Sequence, residues 1–247
     1  MKKTFLLITF IAISYISKAQ IVNIETLRFM SDSNGIVGQI QGSYNYKVDK
    51  VININTSAGL HLGYKYNKHF FLNITSFGYN KIDENEVSNN FFEHFRYDYS
   101  IASSYIFEGF AQTKYDKFVN IQMRTLFGSG LRIKFIHKPK ARLYTGITGM
   151  YEYEELTDKT KNEGARMSDY ISFVYSIDLI TFSYTTYYQP RFTDFSEFRF
   201  TSNSSIKLKV WKNLGVFSSF DVEYDNNRPE GIPKTVTDFK SGLSYSF

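Results

Sequence analysis

The residues of this sequence that could do chemistry are charged side chains set two apart on the polar parity of alternating segments. Lys65, Glu108, Lys114, Arg124, Arg132 and Lys134 belong to this set, as do Arg142, Glu152, Glu154, Arg199, Lys207 and Lys209, and then Asp221, Glu223, Asp238 and Lys240. Ten are basic and six acidic. Enclosed in one interior, they would pair across it, because lost hydration must be offset by partners. If they lined a water-filled path instead, the basic excess would favour anions. The sequence leaves both readings open, a salt-bridged plug or a narrow solute path.

Catalysis has weaker support. A serine nucleophile needs a histidine within hydrogen-bond reach, itself oriented by a third group. The four histidines are His61, His69, His94 and His137, and no G-x-S-x-G accompanies them. Gly128-Ser129-Gly130 comes nearest, yet Ser129 falls on the apolar parity. A lipid hydrolase is therefore the third reading, and no catalytic residue is assigned. Zero cysteines exclude thiol catalysis, disulfides and cysteine-based metal sites. Asp83-Glu84-Asn85-Glu86 and Asp225-Asn226-Asn227 with Glu230 are acidic, but their composition is that of solvated turns and falls short of the six to eight oxygens that Ca²⁺ takes. We expect no metal and no cofactor.

What must position these side chains is a set of strands. From Ile52 to Tyr66 the even positions are Ile52, Ile54, Thr56, Ala58, Leu60, Leu62, Tyr64 and Tyr66, and the odd ones are polar or glycine. The same period of two runs through 119–135, where Val119, Ile121, Met123 and Phe127 oppose Asn120, Gln122, Arg124 and Gly128, and through 141–154 and 198–210, which includes Leu208. Soluble strands usually run about five or six residues, whereas these patterns are long enough to cross a bilayer at a tilt. Aromatics are 18% of the chain and tyrosines gather at pattern ends, where an interfacial girdle would sit. Backbone groups in lipid must pair internally, and strands do so only by closing. The expectation is an all-β transmembrane antiparallel up-and-down β-barrel with apolar side chains outward and a polar lumen.

About twelve strands are expected, at 35–48, 51–66, 69–80, 92–101, 104–115, 118–136, 140–155, 167–177, 180–191, 195–211, 214–225 and 235–247. An even count puts both ends on one side, and the longer connections Lys81 to Asn90, Leu156 to Arg166 and Asn226 to Lys234 on the other. Met1-Lys2-Lys3, the apolar run Phe5 to Ile16 and Ser17-Lys18-Ala19 have the form of a secretory signal peptide cut before Gln20. The domains expected are thus a signal peptide at 1–19, a periplasmic lead-in at 20–34 and the barrel at 35–247. Removing three lysines lowers the formal charge from +5 to +2, which gives nucleic-acid binding no support. The expected location is a bacterial outer membrane, as a monomer in lipid and lipopolysaccharide, whose phosphates Lys159, Lys161 and Arg166 could meet at the extracellular rim.

The final strand places Phe239, Leu243, Tyr245 and the terminal Phe247 on one face. It resembles the signal by which barrel-assembly machinery recognises its clients. Tyr224 to Thr235 followed by Gly242 to Phe247 is similar to the C-terminal hairpin of the salt-induced outer membrane protein family, a domain-of-unknown-function family of Gram-negative bacteria. Phe95 to Tyr99, Glu108 to Gln112, Leu126 to Arg132 and Tyr184 to Arg191 resemble it too, and Lys18-Ala19-Gln20 resembles the export signals of Bacteroidetes. The resemblance implies an outer-membrane barrel with a salt- or osmotic-stress association and no settled activity.

Overall fold

The structure, a computed structural model, describes residues 34–48 and 52–247. The expected signal peptide and residues 20–33 of the lead-in lie outside the described residues. The strands are β1 (Gly35–Val48), β2 (Ile52–Tyr66), β3 (His69–Ile82), β4 (Asn85–Ser100), β5 (Tyr105–Asp116), β6 (Ile121–His137) and β7 (Ala141–Leu156). They continue with β8 (Lys161–Met167), β9 (Asp169–Ile177), β10 (Ile180–Pro190), β11 (Phe198–Trp211), β12 (Leu214–Asp225) and β13 (Thr235–Ser246). β7 pairs with β8 through Gly149 to Glu155 and with β9 through Ala141 to Gly146, so β8 and β9 form one stave broken at Ser168. Sequential neighbours pair antiparallel, and β1 pairs with β13. The result is a closed antiparallel barrel of twelve staves.

One rim carries the C-terminus and the tight turns at 67–68, 101–104, 138–140, 178–179 and 212–213; we call it the terminal rim. The other, the loop rim, carries 117–120, 157–160, 191–197 and 226–234. The outer wall is an apolar belt, with Ile40, Leu60, Phe77, Phe95, Ile147 and Ile206 exposed on β1, β2, β3, β4, β7 and β11 and Phe127 and Leu243 reaching 60% and 58%. Exposed apolar surface on that scale marks contact with hydrocarbon. Ile52 and Leu208 also face out.

The structure corrects four expectations. The stretches Lys81 to Asn90 and Leu156 to Arg166 are not long loops, because β4 already begins at Asn85 and β8 at Lys161. There the hairpins rise beyond the apolar belt and both faces turn polar, so ladder pairing continues after the hydrophobic alternation has ended. Ile121 and Val119 do not face lipid. A bulge between Ile121 and Met123 turns Ile121 inward, and Val119 closes a 3₁₀ turn (Lys117–Val119) capped by Asp116, whose carboxylate accepts from the Phe118 amide. The lumen is not uniformly polar: Phe70, Leu72, Ile74 and Phe92 form a buried apolar cluster on the inner face of β3 and β4. Lys209 shares the inward parity of Lys207 but sits exposed at the terminal rim.

Candidate functional site

The charged side chains converge in the lumen in two layers. In the loop-rim layer, Arg199 on β11 reaches past two staves to Glu152 and Glu154 on β7, while its Nε donates to Asp225 at 2.6 Å. Arg124 on β6 pairs with Glu154, and Arg166 donates to Glu152 at 3.2 Å and to Glu197 at 2.5 Å. Glu197 also holds Arg191 at 2.5 Å. Lys114 on β5 spans the barrel to Glu223 on β12 at 3.2 Å, and Arg228 holds the second Glu223 oxygen. The members balance in charge: Lys114, Arg124, Arg166, Arg191, Arg199 and Arg228 against Asp116, Glu152, Glu154, Glu197, Glu223 and Asp225.

Above this layer an apolar cap closes the mouth. Val119, Ile121 and Leu156 from one wall bury themselves against Val236 at the start of β13, with Phe118 and Ile232 packed on them.

The second layer lies toward the terminal rim. Glu108 is fully buried; it accepts from Tyr170 Oη at 2.7 Å and from Arg96 Nη1 at 3.3 Å. Arg132 Nη1 donates to Tyr170 Oη at 3.0 Å, and the guanidinium lies 3.8 Å over the Tyr144 ring. Arg96 Nε donates to His94 at 3.2 Å. Below, Lys65, Asp98, Lys134 and Arg142 line a cavity of about 70 Å³. Lys207 donates to Gln39 at 3.2 Å and to Ser246 at 2.6 Å. Among the described residues this layer is basic, with Lys65, Arg96, Arg132, Lys134, Arg142 and Lys207 against Asp98 and Glu108. Between the layers a cavity of about 110 Å³ is lined by Arg96, Lys114, Arg124 and Arg199, with Glu223 the one acid among the described residues that line it.

The remaining side chains singled out from sequence are placed as follows. Asp221 accepts from Asn203 and lies 3.8 Å from Lys240, which pairs with Asp238 at 2.7 Å. Phe239, Leu243, Tyr245 and Phe247 are all exposed on the outer face. His69 and His137 contact the hydroxyls of Tyr97 and Tyr144, His61 is buried, and Ser129 is exposed on the outer wall. Of the acidic turn residues, Asp83 accepts from the Ile52 amide, Glu86 pairs with Lys117, and Asp225 belongs to the loop-rim layer. Outside the spanning segments, the Ser196 hydroxyl and amide hold the Asp194 carboxyl below its ordinary value, and the hydrogen bond to Glu86 raises Lys117.

Sequence reasoning weighed His94 as a histidine but left Arg96 and Asp98 out of the lumen set, although their alternation with Phe95, Tyr97 and Tyr99 carries the same signal. It also missed a polar cluster on the outer wall. Asn73 and Thr75 on β3 both donate to Glu93 on β4, Thr75 at 2.6 Å, on the face opposite the buried Phe92 and His94.

A family profile described as "Protein of unknown function, DUF481" matches residues 55–247. The chain belongs to this family. Among curated proteins none matches. Among solved structures the DUF481 chain is similar to the NanC porin, at a TM-score of 0.54 and 9% identity over 85% of this chain and 98% of that one. It is also similar to the KdgM porin, at 0.48 and 14% over 86% and 99%, and to the translocator domain of the autotransporter NalP from Neisseria meningitidis, at 0.43 and 9% over 91% and 93%. The first of these likenesses establishes a porin-like barrel fold.

Proposed function

We propose that this DUF481 protein is a narrow, anion-preferring passage for small solutes in the bacterial outer membrane, closed at rest by its own side chains. The observation that carries the reading is the unequal charge of the two lumen layers. Among the described residues the loop-rim layer is neutral and bridges the lumen, whereas the terminal layer holds six cations to two acids around cavities. A lumen wall lined by more cations than acids favours anions whether or not those cations are paired. Ion pairs and the apolar cap, both built of movable side chains, supply the gate. The same arrangement is where the salt association implied by the sequence resemblance would enter: these buried pairs are shielded from ionic strength while the gate is closed and are weakened by it once water enters. The proposal includes a monomer set in outer-membrane lipid, with the terminal aromatic strand presented outward for assembly. The porin-like fold and the place of Ser129 on the exposed outer wall favour passage over hydrolysis.

Planar-bilayer recording with purified protein in a KCl gradient tests this. Small steps with a reversal potential displaced toward that of chloride are expected, and Lys134→Glu with Lys207→Glu should move it toward potassium. Silence over a wide voltage range would remove the proposal.

A further inference from the structure

β1 and β13 pair from Gly38 to Gly42, against Phe247 to Leu243, and not beyond, although both strands continue toward the loop rim. Ser43 to Val48 keep their ladder with β2, and Thr235 to Gly242 keep theirs with β12, so each strand presents one unpaired edge to the other. A cavity of about 190 Å³ lies there, lined by Tyr44 and Asn45 of β1 and by Asp238, Phe239 and Lys240 of β13. Adjacent residues of a strand point to opposite faces. A space bordered by Tyr44 and Asn45, and by Phe239 and Lys240, therefore runs through the wall. An open sheet edge at membrane depth is tolerated only where it lines a polar cavity, since unpaired backbone groups in hydrocarbon cost several kcal/mol each.

The inner end of this space is amide-rich. Asn55 lines it, and so does Asn90 on β4, which is 5% exposed and whose Oδ1 has no hydrogen-bond partner among the described residues. On the same inner wall, the side-chain oxygens of Asn53, Asn80 and Ser88 also lack partners among the described residues. Buried acceptors without donors favour a ligand rich in hydroxyl groups. Outside, exposed Tyr44, Tyr46 and Phe239 flank the opening, and tyrosines of this kind mark headgroup level.

We propose that the β1–β13 seam is a lateral portal that admits the hydroxyl-rich headgroup of an amphiphile from the loop-rim leaflet into the Asn90 cavity, its acyl chain remaining in the bilayer. The amphiphile, not a free sugar, is the occupant because the cavity communicates with the aromatic belt at headgroup depth. The headgroup's donors satisfy Asn90, and the chain covers the seam between Tyr44 and Phe239. This portal is separate from the charged lumen path and does not depend on it.

The test uses a dodecyl glucoside bearing a diazirine on its sugar, with the full protein in phosphatidylcholine vesicles. Photolabelling should fall on β4 and on the β1 and β13 edges, and unlabelled dodecyl maltoside should compete where glucose at the same concentration does not. Asn90→Leu should weaken that competition by about tenfold, the loss expected for one buried hydrogen bond. The chain has no cysteine, so Ser241→Cys can be modified at one place with a bulky maleimide. Modification should abolish cavity labelling, whereas the same reagent on Ile206→Cys, elsewhere on the belt, should not. Heat-modifiable gel migration confirms that each variant is a folded barrel. Labelling spread evenly around the belt, labelling unchanged by the Ser241 block, or equal competition by glucose would each overturn the proposal.

Discussion

Lys114 on β5 and Glu223 on β12 meet at 3.2 Å although their strands are six staves apart in a ring of twelve. They are diametrically opposed, so two side chains suffice to span the lumen at this level. The lysine also lies 3.2 Å from Asp116. Removing one partner of a buried pair leaves an uncompensated charge, a loss of about 3–5 kcal/mol. We therefore expect Lys114→Met to lower stability by about 3 kcal/mol in urea titrations of the reconstituted barrel. Lys114→Met with Glu223→Gln should recover part of it. Losses that merely add would show that the pair is not coupled.

Closure by the apolar cap makes a separate prediction, because Val236 stands diametrically opposite Ile121 just as Glu223 stands opposite Lys114. A carboxylate at Val236 cannot remain in that contact without a partner. Val236→Asp should raise open probability in bilayer recordings severalfold while leaving ion preference unchanged, since the basic layer lies toward the other rim. Unchanged gating would place the barrier below the cap.

These contacts also show where sequence reasoning reaches its limit. Outward and inward faces were legible because a period of two is a local property: Leu60, Phe127 and Leu243 against His61, Arg124 and Ser244 needed no partner strand to be sorted. The pairing of Lys114 with Glu223 depends on stave number and height across the lumen, which nothing local encodes. The starts of β4 and β8 were hidden because Asn85, Glu86 and Lys161 stand above the apolar belt, where both faces are wet. Ile121 was misplaced by a bulge, which inverts parity without leaving a mark in the residue types. Phe70 and Leu72 face inward because this part of the lumen is filled rather than wet.

The chain's last residue has a specific seat. Gly38 and Phe247 exchange both backbone hydrogen bonds, at 2.7 and 2.9 Å, and the Phe247 ring occupies the space a Cβ on residue 38 would need. Gly38→Ala should then displace the ring at a cost of about 1–3 kcal/mol, typical of overpacking. It should also lower the fraction of protein that migrates as folded barrel before heating. In a Phe247→Ala background the same change should be nearly neutral. Equal penalties in both backgrounds would assign the effect to the glycine backbone instead of the aromatic seat.

In the loop at 191–197, Asp194 accepts from the Ser196 hydroxyl at 2.7 Å and from its amide at 2.9 Å, which stabilises the charged form and lowers the carboxyl's pKa. A depressed folded value contributes order that is fully present above the unfolded value of about 3.9 and is lost as pH falls through the lower folded one. The loop should accordingly keep its conformation from neutral pH down to about 4. Carboxyl-carbon NMR of Asp194 should titrate below ordinary aspartate and move back upward in Ser196→Ala. A midpoint at or above the ordinary value would refute the contact.

On the outer wall, the Glu93 carboxylate is held by Asn73 and Thr75 among the lipid-facing residues Phe71, Phe77 and Phe95. A charge on the lipid face is costly in proportion to depth, and its hydrogen bonds are what make it tolerable. Asn73→Leu takes away one donor and keeps the charge, so it should destabilise the vesicle-embedded barrel by about 1–3 kcal/mol. Glu93→Leu removes the charge together with its need for donors and should be neutral or stabilising. Asn73→Leu combined with Glu93→Leu should match Glu93→Leu alone, because the amide has then lost its purpose. The ordering separates a merely tolerated carboxylate from one that binds: if Glu93→Leu is the most damaging of the three, the carboxylate is making a favourable contact with something in the bilayer.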